Sequence, residues 1–350
     1  MKRKHNIVAV DLFCGVGGLT YGLNKSGIKV VAGVDDDDKC RFAFAENNGA
    51  LFINKSIKEI SSKEISELYP PKSLKVLVGC APCQPFSNHT QKNKNRENKE
   101  DWGLLYHFNG LIKKVKPVVV SMENVPQIVK HKVFSDFVKG LKTMKYHVSW
   151  QNVYCPDYGI PQNRTRLVLL ASKLGGINLI GPTHKPENYK TVKKAIGNLE
   201  PIEAGTASMN DRLHKSAILT RINLKRIKKS VSGGSWRDWN KSLRADCHQK
   251  ESGNTYSSVY ARMNWNKLSP TITTQFYSFG TGRFGHPEQD RAISIREGAI
   301  LQTFPRKYKF IPPTSPVGIK RLGRYIGNAV PVRLGEIIGK SIIKHFEELL

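Results

Sequence analysis

Three kinds of side chain in this sequence are typed and spaced for chemistry. Cys83 lies in the run Gly79-Cys80-Ala81-Pro82-Cys83-Gln84-Pro85-Phe86-Ser87, between two prolines that stiffen its loop. A thiolate is a nucleophile, and this one follows a short β-branched segment, Lys75-Val76-Leu77-Val78, that predicts a buried strand. Cys83 then stands at the carboxyl end of a strand, the edge of an open α/β sheet where ligands gather. Two other uses stay open at this point: an inert buried thiol, or half of a metal or redox pair, since Cys80 and Cys83 are spaced C-x-x-C. No second C-x-x-C occurs, so a four-thiolate zinc site lacks ligands. Glu123, in Glu123-Asn124-Val125-Pro126, closes another apolar run, Pro117 to Met122, and either faces the same edge or caps a helix. Arg164 and Arg166, two apart on an extended segment, project to one side. They suit two phosphates, or a phosphate and a base edge, or are two solvated charges.

These groups need a scaffold that brings strand ends together. Asn6 to Phe13 predicts a strand, and Cys14-Gly15-Val16-Gly17-Gly18-Leu19-Thr20 turns it into a helix ending near Ser26. Glycines there admit close approach of a ligand to backbone, with helix N-terminal amides facing it. The strand Lys29 to Val34 ends in Asp35-Asp36-Asp37-Asp38, some twenty residues after the glycine turn, where an acidic side chain can bind ribose hydroxyls. Thr20 stands where a full G-x-G-x-x-G fingerprint has its third glycine, so a tight strand-to-helix connection is the competing reading. Helices are expected over Gly103 to Val115 and Phe134 to Lys145, and a strand over Leu167 to Ala171. Alternation of strand and helix over 150 residues predicts a mostly parallel sheet with helices on both faces.

From about Gly175 to Met263 the periodicity fades. A basic run, Arg221 to Lys229, precedes Ser232-Gly233-Gly234-Ser235-Trp236-Arg237-Asp238-Trp239. Arg221, Lys225, Arg226, Lys228, Arg237 and Arg244 are candidates for phosphate or guanine contacts, with a solvated lysine-rich face as the alternative. Helices are expected again over Ile295 to Leu301 and from Val332 to Leu349.

The 350 residues are 39% hydrophobic, enough for a full core and two domains. Lys plus Arg outnumber Asp plus Glu 56 to 28, for a net charge of +28. That points to a polyanion, nucleic acid first and an acidic membrane surface second, unless it is only a lysine-rich genomic habit. No apolar run reaches the roughly 18 residues of a membrane span, and the N-terminal pattern is not that of a signal peptide. Six scattered cysteines suggest reduced thiols in a cytoplasm.

Taken in order, six blocks resemble the DNA (cytosine-5) methyltransferase family: Asp11-Leu12-Phe13-x-Gly15-x-Gly17-Gly18, Pro82-Cys83-Gln84, Glu123-Asn124-Val125, Gln162-x-Arg164-x-Arg166, Gln302-Thr303-Phe304-Pro305 and Gly327-Asn328-Ala329-Val330-Pro331. The resemblance, closest to bacterial or phage modification methylases, covers all but the basic middle. It implies a doubly wound, Rossmann-like α/β domain over 1–174 that binds S-adenosylmethionine, a smaller mixed target-recognition domain over 175–285, and a return over 286–350 that completes the first.

It further implies that Cys83 adds to carbon 6 of a cytosine extruded from the duplex, making carbon 5 nucleophilic toward a methyl sulfonium. A loop facing helix N-termini, Arg164 and Arg166 should lower the thiol pKa. Glu123, protonated in a water-poor pocket, contacts the exocyclic amine and ring nitrogen 3. Arg164 holds the base carbonyl or a phosphate, and Arg166 is structural or phosphate-directed. Phe13, Cys14, Gly15, Gly17, Leu19, Asp35, Asp36, Ile57, Pro82, Leu104, Asn328 and Ala329 are expected around the cofactor, with Asp35 on the ribose. Ser56 stands where the family usually has an acidic residue for the adenine amine. Gln84, Ser87, Arg262 and Thr273 join the basic middle as expected DNA contacts. No metal is expected. The product is S-adenosylhomocysteine and the partner double-stranded DNA, bound by a monomer in the cytoplasm, with a restriction endonuclease acting on the same site without direct contact.

An RNA (tRNA) methyltransferase of the same fold, or a relative that binds DNA without activity, are the rivals. The 95 residues between Arg166 and Arg262 favour DNA over RNA, and intact Cys83, Glu123 and Arg164 argue for activity. A dinucleotide oxidoreductase leaves Cys83 without a role.

Overall fold

A computed structural model describes residues 6–82, 103–250, 253 and 258–350. Cys83, Gln84 and Ser87 lie outside the described residues. The chain forms two compact units. Unit 1 holds residues up to Tyr158, Thr165–Thr183 and Val330–Leu350; unit 2 holds Gly159–Arg164 and His184–Ala329.

Unit 1 is built on strands β1 (Ile7–Leu12), β2 (Lys29–Asp35), β3 (Leu51–Asn54), β4 (Leu74–Gly79), β5 (Val119–Asn124), β6 (His147–Tyr154) and, after a two-residue strand β7 (Gln162–Asn163) that belongs to unit 2, β8 (Thr165–Ser172). The sheet order is β3-β2-β1-β4-β5-β8-β6. The pairs among the first five are parallel, and β8 runs antiparallel to both β5 and β6. The order reverses between β1 and β4, so their carboxyl ends open the crevice that doubly wound sheets use for ligands. Helices α1 (Gly18–Ser26), α2 (Arg41–Asn48), α3 (Ser62–Glu67), α4 (Leu104–Val115) and α5 (Lys132–Thr143) fill the crossovers. In α4, Leu104, Leu105, Phe108, Leu111, Ile112 and Val115 recur at helical spacing, and all are buried against the sheet core.

Four elements of unit 1 went unread in the sequence: β3, α2, α3 and the edge strand β6, whose solvent-facing Gln151 and Asn152 hide the apolar signal. The strand expected over 117–122 runs instead from Val119 to Asn124, which puts Glu123 inside it.

Unit 2 carries α6 (Val192–Ile196), α7 (Arg221–Lys228), α8 (Asp246–Gln249), β9 (Ser269–Pro270), α9 (Ile295–Leu301) and α10 (Ile319–Asn328). Its aromatic core gathers Ile227, Trp236, Trp239, Phe279 and Ala292. Residues 286–329 pack here, and the chain rejoins unit 1 at Val330, not at the 286 expected from the sequence. Glutamine side chains explain the difference. Gln162 Nε2 donates to the Leu301 carbonyl at 2.7 Å and to Gln302 Oε1 at 2.8 Å, and Gln302 Nε2 donates to the Ile326 carbonyl at 2.7 Å. Such buried amide bonds fasten α9 and α10 to β7.

The last helix, α11 (Val332–Leu349), lies on α1 within unit 1. Glycines permit the approach: a Cβ on Gly22 would come 2.3 Å from the Val332 carbonyl oxygen, and one on Gly335 2.8 Å from that of Leu19. No described helix is long and apolar enough to cross a membrane.

Candidate functional site

At the carboxyl edge of the unit 1 sheet the chain makes two turns that expose backbone. After β1, Phe13 takes a left-handed φ of 61°, and Gly15 and Gly17 follow at 50° and 85°. Strain at a non-glycine residue of this kind is held only where surrounding contacts over-determine it. Here Cys14 N donates to the Val34 carbonyl, and Gly15 N donates to Asp35 Oδ2 at 2.8 Å. Helix α1 starts at Gly18, with Gly17 as an N-cap that supplies no side-chain bond to the first amides. A Cβ on Gly15 would meet nothing within 4 Å, which leaves open space over the turn.

Beneath it, Asp11 is buried, and Thr20 Oγ1 donates to its Oδ2 at 2.6 Å. Oδ1 makes no hydrogen bond among the described residues. Burial, helped by the nearby Asp35, pushes the Asp11 carboxyl up to about 7 against the Thr20 bond. The open turn at a helix N-terminus and the orphaned carboxyl oxygen fit a small zwitterionic nucleoside such as S-adenosylmethionine.

Asp35 was expected on the ribose. Both its oxygens are engaged, Oδ2 by Gly15 N and Oδ1 by Asp37 N at 3.0 Å, so it ties the two turns together. Asp36 is exposed beside it. Cys14 and Leu19 turn their side chains into the core, and burial raises the Cys14 thiol pKa well above its usual range. Ile57 is buried in that core, Ser56 Oγ accepts from Lys58 N at 3.4 Å, Pro82 follows β4, and Leu104 opens α4.

One strand over, Glu123 is 3% exposed. Its Oε2 accepts a hydrogen bond from the Cys80 thiol at 2.8 Å, and its Oε1 faces Arg166 Nε at 3.2 Å. Asn124 Nδ2 donates to the Ala81 carbonyl at 3.1 Å, pinning the exit of β4 to the end of β5. The loop leading to Cys83 is therefore anchored next to a buried carboxyl group. The sequence reading gave Arg164 the base-facing role and Arg166 a secondary one. In unit 1 the arginine at Glu123 is Arg166. Arg164 belongs to unit 2, buried, with Nη1 donating to the Ile272 carbonyl at 3.1 Å.

Asn328 and Ala329 also lie in unit 2, Asn328 exposed at the end of α10 and the Ala329 carbonyl accepting from Gln302 Nε2 at 3.2 Å. Thr273 has its backbone pressed on Gly327, where a Cβ would come 2.4 Å from the Thr273 carbonyl. The expected DNA contacts divide. Arg221, Lys225, Lys228 and Arg237 are exposed. Arg226 lies over the Trp239 and Tyr260 rings and donates to the Leu243 carbonyl, and Arg244 donates to those of Trp239 and Arg237. Arg262 is a correction. It is 4% exposed and its guanidinium is spent on the carbonyls of Ser230, His286, Gln289 and Ile227 and on Asp290, so it clamps unit 2 and has no donor left for DNA. A basic residue type carries no mark of burial, which is why the sequence reading took it for a surface contact.

Sequence reasoning also missed the roles of Cys80, Asn124, Asp11 and Thr20. The signal was there for Cys80, three residues before Cys83, but it was weighed only as a metal or redox partner.

The sequence profile described as C-5 cytosine-specific DNA methylase matches residues 7–344. The Type II methylase M.HgiDII of Herpetosiphon aurantiacus is 52% identical over 343 residues, covering 97% of this chain and 96% of the relative. The Type II methyltransferase M.Sau96I of Staphylococcus aureus is 27% identical over 361 residues, covering 99% of this chain and 78% of the relative. Among solved structures, a protein described as a DNA modification methyltransferase encoded within an E. coli prophage superposes with a TM-score of 0.71 at 22% identity, covering 97% of this chain and 99% of that one. With the family's profile spanning nearly its whole length, the chain belongs to the C-5 cytosine-specific DNA methylases and is a DNA (cytosine-5-)-methyltransferase.

Proposed function

We propose that this protein methylates carbon 5 of a flipped-out cytosine within a specific duplex sequence, through a covalent bond from Cys83 to carbon 6, as the modification half of a restriction-modification system. The observation that carries the mechanism is the buried Glu123 carboxyl group, held by Cys80 and Arg166 beside the anchored start of the Cys83 loop. Kinship with Type II methylases supports the restriction-modification setting.

Unit 1 is the catalytic and cofactor unit in this reading. The turn Phe13 to Gly17, the N-terminus of α1 and Asp11 hold the amino-acid end of S-adenosylmethionine, and exposed Asp36 takes the ribose hydroxyls. When bound, the sulfonium supplies an electrophilic methyl group. Glu123 grips the cytosine along its exocyclic amine and ring nitrogen 3, and Arg166 holds that carboxyl group near the base by charge. As the Cys83 thiolate adds to carbon 6, Glu123 withdraws electrons through nitrogen 3, and carbon 5 gains the nucleophilic character that an aromatic ring denies it. Carbon 5 would then take the methyl group as the sulfur–methyl bond breaks and S-adenosylhomocysteine leaves, and loss of the carbon 5 proton to water would expel the Cys83 thiolate and restore the ring.

Unit 2 is the recognition unit. Helix α7 is rooted by Ile227 in the aromatic core and carries Arg221, Lys225 and Lys228 to the surface, where they meet phosphates or base edges. The protein works as a monomer on its site, in the cytoplasm and on the nucleoid through DNA.

The test is covalent trapping on a sequence-diverse pool of duplexes carrying 5-fluorocytosine, with S-adenosylmethionine present. A denaturation-resistant adduct that vanishes in Cys83→Ser is expected. An adduct on fluorinated tRNA alone would move the substrate to RNA, and none on either would leave a DNA-binding protein without the activity. Two protein copies per duplex in solution scattering would refute the monomer.

A further inference from the structure

We propose that Cys80 is a positioning residue for methyl transfer: its thiol, by donating to Glu123 Oε2, fixes the rotamer in which the Glu123 carboxyl group meets the cytosine. The inference rests on the assignment of Glu123 above.

Glu123 is almost wholly buried, and among the described residues its carboxyl group meets two side chains. They come from strands on either side of β5: Cys80 just past the end of β4, and Arg166 on β8. Arg166 approaches Oε1 with Nε alone, at 3.2 Å, while its Nη1 donates to the Thr165 carbonyl at 2.8 Å. Oε1 makes no hydrogen bond by geometry, so the arginine attracts the carboxyl group without fixing its plane. A terminal carboxyl torsion is broad, and one directional contact is needed to hold it. The Cys80 contact at 2.8 Å is that one. It occupies one lone-pair position of Oε2 and leaves the other for a donor on the base.

The choice of a thiol has a physical sense. A carbonyl or carboxylate at this position would repel the acceptor, and a lysine would hold the carboxyl group against the base. A thiol is a weak donor that orients without competing. Serine keeps an O–H donor on a side chain of similar shape and reaches the same oxygen. Alanine cannot.

Single-turnover methylation by the full-length protein tests this, with wild type, Cys80→Ala, Cys80→Ser, Glu123→Ala and the double variant Cys80→Ala/Glu123→Ala, and cofactor and DNA affinities measured alongside. Cys80→Ala is expected to slow methyl transfer about tenfold, the worth of one hydrogen bond to a carboxylate, with both affinities within twofold of wild type. Cys80→Ser should recover most of that loss. On the Glu123→Ala background, Cys80→Ala should cost less than about twofold, because the group it positions is gone. Equal losses in the alanine and serine variants, or a full tenfold loss on the Glu123→Ala background, would overturn the inference and leave Cys80 a packing residue. Undiminished methylation by Glu123→Ala would instead remove the assignment beneath it.

Discussion

Two glutamates, both buried beside an arginine, live very different lives in this molecule. In unit 2, Arg291 grips Glu297 with two parallel bonds, Nη1 to Oε2 at 2.7 Å and Nη2 to Oε1 at 2.8 Å, and Ser294 N adds a third. Burial pushes the Glu297 carboxyl up, but these contacts outweigh it and hold it at about 2. In unit 1, Glu123 has one oblique arginine nitrogen and a thiol. A carboxylate gripped by three hydrogen bonds, two of them parallel bonds from one arginine, holds a fold together. One that keeps capacity in reserve is ready for a substrate.

The sharpest way to break that comparison is to remove each carboxylate. Glu123→Ala should lower the methylation rate about 10²–10⁴-fold, the range of a positioned acid-base group, and leave the melting temperature near that of wild type. Glu297→Ala should lose about 3–5 kcal/mol of stability by stranding Arg291, and lose activity only where the protein unfolds. A large drop in melting temperature for Glu123→Ala would erase the distinction.

A smaller effect separates the units by pH. Glu297 has its pKa lowered in the fold, so its contribution is complete above its ordinary value of 4.5 and fades as pH falls toward about 2. Burial, then the cations Arg291 and Arg262, lower His286 to about 4 against the pull of Glu297, so it too weakens unit 2 as pH drops from 6.5. Asp11 runs the other way. Raised from 3.8 to about 7, it holds a proton that the unfolded chain has released, and its contribution falls as pH climbs through that window. Denaturation of Asp11→Asn between pH 4 and 7 should therefore show a flatter decline with pH than wild type; an unchanged slope would contradict the burial of Asp11.

The arginines and lysines of unit 2 allow the same contrast at lower amplitude. Arg262→Ala should destabilise by about 3 kcal/mol, since it orphans several carbonyls at once. Lys225→Ala should leave stability within about 0.5 kcal/mol and reduce the salt dependence of DNA binding by about one unit of slope. A stability loss in Lys225→Ala with an unchanged salt slope would take α7 out of the DNA interface.

The contrast also marks how much was legible beforehand. The alternating sheet, the glycine turn and the edge position of Glu123 followed from periodicity and punctuation, which are local. Which of two arginines meets Glu123 did not, because residues at i and i+2 carry identical local information. The division at Arg164/Thr165 that separates them arises from Gln162 bonding to residues some 140 positions away. Arg262 was misread for the same reason: five acceptors from distant segments make it structural, and composition shows only its charge.

The glycine seam between α1 and α11 bears on how the protein comes into being. In chain order, helix α1 and its partner face on α11 are separated by the whole of unit 2. Their packing is a contact of very high order, one that closes late. Until α11 follows it from the ribosome, α1 lacks the face it packs on. Appearance of the glycine turn alone therefore does not complete unit 1; that waits for α11.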